Sequence, residues 1–347
     1  MRKSLLGACA AGVVTVSLSV VLTLIPMAPT MANGLFEEPS DAPLDLELHF
    51  PLRSVIGKRG DVDPVPGQVV LPTGETLTVQ VSPRGKSRRA KCRFDPLWVN
   101  FKKGQVEGTV FAGQNKLKLV THCETKYAKK PYLANEYLAY RIFNLLSPYS
   151  FRVRPLNVTY VDTANGKSQR FSAFFIEHKK SLASRLDAEI LETEKVSISQ
   201  LDPNYAALVS VYQFLIANTD YSLLQGPPND ECCHNVVPLE LAEQVYGIPY
   251  DFDSSGFVNP PYAAPLESLG LRSLTQRLYR GFCEHKEQIP EALNTIRGAK
   301  EQLYGLVRDF SAMPNHDADK VLGYLDKFYE LIESPKRVRS KIVRKCR

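Results

Sequence analysis

The sequence predicts an α+β chain in two lobes, a β-rich half carrying one prominent helix followed by a mostly helical half. Three observations point there. Residues 67–123 are short β-branched and aromatic runs separated by turn signals such as PTG and AGQN. Residues 132–147 switch to an apolar period of three and four, and beyond residue 180 such helical patterns dominate. With 347 residues and 44% hydrophobic content, the chain can bury one large core or two lobes, and its composition excludes disordered and collagen-like classes.

In chain order, residues 1–32 read as an export signal. MRKS supplies a basic start, no charge follows until after Leu35, and Thr30 and Ala32 are small residues suited to cleavage after Ala32. The apolar run is longer than a usual signal core, so an uncleaved membrane anchor is the alternative. The chain is thus expected to be secreted or periplasmic, touching membrane only through this segment if it is retained. Residues 33–66 form an N-terminal extension with one alternating strand, LDLELHF at 44–50.

The β-rich lobe spans 67–180. QVVL, ETLTVQVS, PLWVNF, GTVFA and KLKLVTH are its first strands, and YLANEYLAYRIFNLLS at 132–147 is its amphipathic helix, stopped by Pro148. FRVRPLNVTYVD and RFSAFFIEH, joined through ANGK, read as a hairpin. The helical lobe, 181–335, contains helices at 204–218, 289–310 and 316–334. The formal charge of +6 is modest, and the basic tail KRVRSKIVRKCR at 336–347 reads as a solvated, frayed terminus rather than a specific nucleic-acid contact.

Beyond the leader lie Cys92, Cys123, Cys232, Cys233, Cys283 and Cys346, an even number in a disulfide-permissive compartment and without zinc spacing. Six cysteines allow fifteen pairings. We expect Cys92 to join Cys123, and Cys232 and Cys233 to reach Cys283 and Cys346.

The candidate chemistry lies in four places. Lys118 in KLKLVTH is a strand lysine suited to gripping phosphate, and Glu136 in the following helix would fix it as an ion pair. Asp220 in NTDYS follows a helix, Asn235 in HN comes next, and Asp251 and Asp253 in IPYDFD close a short strand. An acid to accept a hydroxyl proton, then an amide and an acid to hold Mg²⁺, are the parts metal-assisted phosphoryl transfer needs. His122 and His234 read as polar loop residues, since no HExxH or spaced histidine pair accompanies them.

NTD, HN and PYDFDSSG resemble the signature of the spore-coat kinase CotH group and its secreted relatives, atypical protein-kinase-like proteins together with the HipA kinases and the secretory-pathway casein kinases. The resemblance covers most of 85–290, including RRAKCRFDPLWVNF, KLKLVTHC and PYDFDSSGFVNPPYA. It implies a two-lobed protein-kinase-like fold and transfer of phosphate from ATP, with Mg²⁺ or Mn²⁺, to a protein or small-molecule hydroxyl. It also implies Lys118 and Glu136 as the phosphate-gripping pair, with Phe175, Ile176 and Glu177 as the strand-to-hinge segment beside adenine. Asp220 would be the catalytic acid, Asn235 and Asp251 the metal ligands, and Asp253 a second carboxylate at the metal.

The sequence also departs from that pattern. Asp220 and Asn235 are separated by an enlarged loop, and no GxGxxG is present, only RGKSRR at 84–89 and FAGQNK at 111–116 in its place. Lys116 shares a strand face with Lys118. The alternative is a non-catalytic kinase-like module that binds a ligand or partner at the cell surface or in the periplasm. A third reading is an exported structural protein whose acids serve only in turns.

Overall fold

Alternation of period two folds the first half. In β3 (Thr76–Pro83), Leu77, Val79 and Val81 are buried and the residues between them mostly face out. The computed structural model describes Met1 and residues 34–36, 41–85, 87–102, 104–228, 231–313 and 316–347. The expected export signal and its cleavage point lie outside the described residues, apart from Met1. Among the described residues, no helix is long and apolar enough to cross a membrane.

The fold is α+β, with a closed seven-stranded barrel and, among the described residues, nine α-helices. The barrel strands are β1 (Leu44–Phe50), β2 (Val65–Val70), β3, β4 (Leu97–Phe101), β5 (Lys116–Val120), β6 (Val153–Asp162) and β7 (Ser168–Ile176). They run in the order β1-β2-β3-β4-β5-β7-β6. β1 closes the ring by pairing in parallel with β6, from Leu44 opposite Leu156 to Phe50 opposite Asp162. Two short helices, α1 (Leu52–Val55) and α2 (Ser87–Lys91), sit in the connections between strands.

GTVFA is not a strand. Thr109 Oγ1 donates to the Val106 carbonyl at 2.8 Å and accepts from the Phe111 N–H at 3.0 Å, so a hydroxyl turn displaces the ladder while Phe111 still fills the barrel.

β7 belongs to two cores. Ala173 and Phe175 point into the barrel, whereas Phe174 and Ile176 pack on the other side with α3 (Tyr132–Leu146). Expected to be amphipathic, α3 is instead buried on nearly every side, with Tyr137, Tyr140 and Phe143 against the helical half.

That half contains α4 (Lys179–Arg185), α5 (Pro203–Leu215), α6 (Ile289–Gly298), α7 (Lys300–Asp309), α8 (Ala318–Ile332) and α9 (Pro335–Lys341). The helix expected across 289–310 is two, jointed at Ala299, whose ψ of −2° departs from helical backbone. A small sheet, β10-β9-β8, is built from β8 (Glu189–Ile190), β9 (Val236–Leu241) and β10 (Gln244–Pro249).

Among the described residues three disulfides are present, Cys92–Cys123, Cys232–Cys233 and Cys283–Cys346. The first is as expected. The expected link from Cys232 and Cys233 to Cys283 and Cys346 is corrected: the two adjacent cysteines bond each other, which leaves the distant pair to join. The frayed tail is corrected as well. Ile342 is fully buried, the Cys283 N–H donates to the Arg347 carbonyl, and the Arg347 N–H donates to Gly281.

Candidate functional site

The β9–β10 hairpin places two of the residues singled out from the sequence side by side. Val236 opens β9 opposite Pro249, which ends β10, so the residues just outside this last pair, Asn235 and Tyr250–Asp251, are neighbours. The Tyr250 N–H donates to the Asn235 carbonyl at 3.0 Å. Asn235 and Asp251 both adopt left-handed backbone, at φ 53° and 61°, a conformation Asn and Asp tolerate better than most side chains. Buried Tyr140 of α3 accepts the Asp251 N–H through its hydroxyl oxygen at 2.8 Å, fixing the strand end against the helix.

Asp220 arrives from another direction. Ala217, at φ 49°, turns the chain out of α5. Arg280 then gathers the Thr219 and Tyr221 carbonyls, and the Asp220 N–H donates to Asn218 Oδ1 at 3.0 Å. The enlarged loop folds back, because Ser222 and His234 form an antiparallel bridge. This return brings Asn235 Nδ2 to 2.7 Å from the Asp220 carbonyl oxygen and 3.3 Å from Oδ2. His234 Nε2 lies 2.7 Å from Asp220 Oδ1. Burial pushes the Asp220 carboxyl up, but the hydrogen bond and charge of His234 and the Asn235 amide outweigh it and hold the group below its ordinary range. The same hydrogen bond raises His234 above the usual imidazole value, against its own burial.

Lys118 stands on the outer face of β5, opposite Trp98 in β4 and Ile176 in β7. Its Nζ lies 4.3 Å from the centroid of the Tyr250 ring. Burial, with Arg84 and Lys179 nearby, pushes this ammonium down to about 7 despite Asp251. The expected Lys118–Glu136 ion pair is corrected. Glu136 pairs instead with Arg88 of α2, Nη1 to Oε2 at 3.2 Å, and Arg88 Nη2 donates to the Thr121 carbonyl at 2.6 Å. Arg88 Nε also lies 3.8 Å from Asp253 Oδ2. Arg88 reaches both acids because it projects from the β3–β4 connection, the position of RGKSRR. Burial dominates both carboxyls; Asp251 adds to it, and although Arg88 opposes the shift, Glu136 and Asp253 stay above the ordinary carboxylate range.

These segments enclose one cleft of about 810 Å³. Lys118, Asp220, Asn235, Asp251 and Asp253 all line it, joined by Arg84, Arg88, Trp98 and His234. Glu136 lies behind, against a small inner cavity beside His122. Phe175, Ile176 and Glu177 do not line the cleft, whereas the next two residues, His178 and Lys179, do. Phe175 fills the barrel, and the Glu177 carboxylate clamps Arg185 at 2.9 Å and the Arg152 N–H at 3.1 Å. FAGQNK lies away from the cleft, and RGKSRR contributes to it through Arg84, Gly85, Ser87 and Arg88.

Among the described residues, no group of three or more His, Cys, Asp or Glu side chains is gathered as a metal cage. Two carboxylates and an amide oxygen suit Mg²⁺ or Mn²⁺ shared with a polyphosphate, which commonly supplies further oxygens. Asn235 fits this use, since its Nδ2 is engaged by Asp220 and its Oδ1 is the remaining donor atom. Sequence reasoning missed Arg88 and the role of His234, and the signal for the second was its place beside Asn235. No family model and no curated protein matches the chain.

Proposed function

We propose that the chain is an exported atypical kinase that transfers phosphate from ATP to a protein or small-molecule hydroxyl. The observation that carries this reading is the convergence of Lys118, Asp220, Asn235, Asp251 and Asp253 on one cleft. Their chain order supports it too: a strand lysine, a helix glutamate, an acid, an asparagine and a final acid follow the sequence in which kinases assemble their site. The α+β architecture, with a β-rich half ahead of helices, agrees with a two-lobed protein-kinase-like fold. The three disulfides favour an oxidising compartment.

In this reading Asn235, Asp251 and Asp253 hold Mg²⁺ or Mn²⁺, whose positive charge offsets that developing on the phosphate oxygens. Lys118 and Arg84 steady the polyphosphate, and Trp98 and Tyr250 border the cleft beside Lys118. Asp220 orients the acceptor hydroxyl and takes its proton. The acceptor oxygen forms a bond to the γ-phosphorus, the bond from that phosphorus to the β,γ-bridging oxygen breaks, and the electron pair leaves with ADP. Arg88 neutralises part of the buried acid charge of Glu136 and Asp253, so Lys118 grips phosphate without the Glu136 partner expected for it.

The test is label transfer from γ-³²P-ATP in the presence of Mg²⁺ or Mn²⁺, read on the protein itself and on released phosphate. Asp251→Ala and Asp220→Asn should each lower turnover by about 10² or more. Wild-type rates in Asp251→Ala overturn the assignment.

The second reading, a non-catalytic kinase-like module, is favoured by the enlarged 221–233 loop and by a helix, α2, standing where a glycine-rich loop would lie. Lack of any metal-dependent thermal stabilisation by ATP would decide for it.

A further inference from the structure

We infer that His234 is a positioning residue for Asp220, an inference that rests on the phosphate-transfer reading above. The Asp220 backbone is held several times over, by Asn218, by Arg280 on the adjoining carbonyls, and by the Asn235 amide on its own carbonyl. The carboxylate is held differently. Among the described residues, its one short contact is His234 Nε2 at 2.7 Å to Oδ1, while Oδ2 receives only the Asn235 amide at 3.3 Å. Asn235 already spends its shorter hydrogen bond on the Asp220 carbonyl, and its oxygen is the atom suited to the cation. The imidazole therefore sets the rotation of the carboxylate.

The fold fixes the imidazole in turn. The Ser222 N–H donates to the His234 carbonyl at 3.0 Å, closing the enlarged loop. The Cys232–Cys233 disulfide directly precedes His234, and Cys232 is anchored through its N–H to the Thr193 carbonyl at 3.0 Å. The long excursion between Asp220 and Asn235 thus ends by presenting a histidine to the acid that opened it. With Oδ1 engaged by His234, Oδ2 is the oxygen that receives the acceptor proton as the new oxygen–phosphorus bond forms. Freeing the carboxylate to rotate displaces it by an ångström or more, a displacement that costs about 10²-fold in rate.

Steady-state label transfer from γ-³²P-ATP with Mn²⁺ tests this, with Mn²⁺–ATP affinity followed through the emission of Trp98, the single tryptophan of the chain. His234→Ala should lower kcat about 10²-fold while KM for the nucleotide stays within about threefold. His234→Gln, whose amide N–H can donate to Oδ1, should recover kcat to within about tenfold of wild type. Wild-type kcat in His234→Ala overturns the inference. So does a glutamine variant no better than alanine with kcat and affinity falling together, the pattern of mere fold support. Asp220→Asn separates the two levels: if it stays active, or if wild type transfers nothing, the kinase reading falls and His234 with it. If Asp220→Asn is inactive and His234→Ala is active, only the inference about His234 falls.

Discussion

Glu136 on α3 is paired with Arg88 of α2 at 3.2 Å, and both side chains are almost fully buried. The same guanidinium lies 3.8 Å from Asp253 and faces the ring of Tyr262 at 5.9 Å. One cation therefore serves two acids, Glu136 behind the cleft and Asp253 on its wall, and the interior around α3 depends on a residue borne by a short helix between two barrel strands.

Removing that cation leaves the Glu136 carboxyl unpaired in a low-dielectric interior. Arg88→Met should destabilise the protein by about 3 kcal/mol in urea denaturation. Arg88→Met combined with Glu136→Met should lose less than the sum of the two single changes, since the second removes the acid the first leaves unpaired. Additive losses would show that the two residues do not act as a pair.

His122 lies between Phe171, at 3.9 Å between ring centroids, and Phe94, at 4.4 Å, and neither ring nitrogen has a hydrogen-bond partner among the described residues. Burial first, and then the charge of Arg88, push its pKa down to about 4. The unfolded chain therefore takes up a proton near the ordinary value of about 6.5 while the folded chain does not. Stability is complete above that pH and falls as pH drops from about 6.5 to about 4, by about 3 kcal/mol from this residue. Urea midpoints across this range should slope less in His122→Phe than in wild type, and equal slopes would rule out His122 as a source.

Cys283–Cys346 spans 63 residues of sequence and holds the C-terminal segment on the helical half. Cys346→Ser should lower stability by about 4 kcal/mol on chain-entropy grounds. Replacing both Cys232 and Cys233 by serine should cost far less global stability, because that bond joins adjacent residues and closes no long loop. Thermal denaturation of the two variants checks the contrast.

Trp98 lines the cleft with Lys116 and Lys118 near its ring, at 4.5 and 6.0 Å. Mg²⁺–ATP titration should change its emission, and Lys118→Met should weaken the apparent affinity about tenfold. Emission that does not respond to nucleotide in wild type would mean that the cleft does not bind it.

The barrel strands were legible where apolar residues alternate, as in LDLELHF and ETLTVQVS, because a half-buried strand writes its period directly into the sequence. Contacts between segments were not. Lys118 and Glu136 looked like partners because both residue types were present at a suitable place, yet Arg88, inside a basic run, reaches the glutamate instead. Asn235 and Asp251 stand sixteen positions apart in the sequence, and what joins them is the β9–β10 hairpin. Its turn, Ala242–Glu243, has positive φ at both residues but no Gly, Asn or Asp to announce it. His234 reads as a loop residue for want of a metal-ligand motif, and nothing local announces its partner: Asp220 lies fourteen positions earlier and meets it only after the loop has folded back.

The seam between β1 and β6 leaves the barrel without a rim. Exposed rims are where extended peptides and neighbouring chains dock by strand addition, and where fibrils begin. The three-stranded sheet offers little more, since β8 is two residues long and the far side of β10 is occupied by the Asp202 N–H donating to the Val245 carbonyl. Any macromolecule that approaches the barrel must therefore be recognised through side chains and loops, and the same closure guards the barrel against self-templated strand pairing.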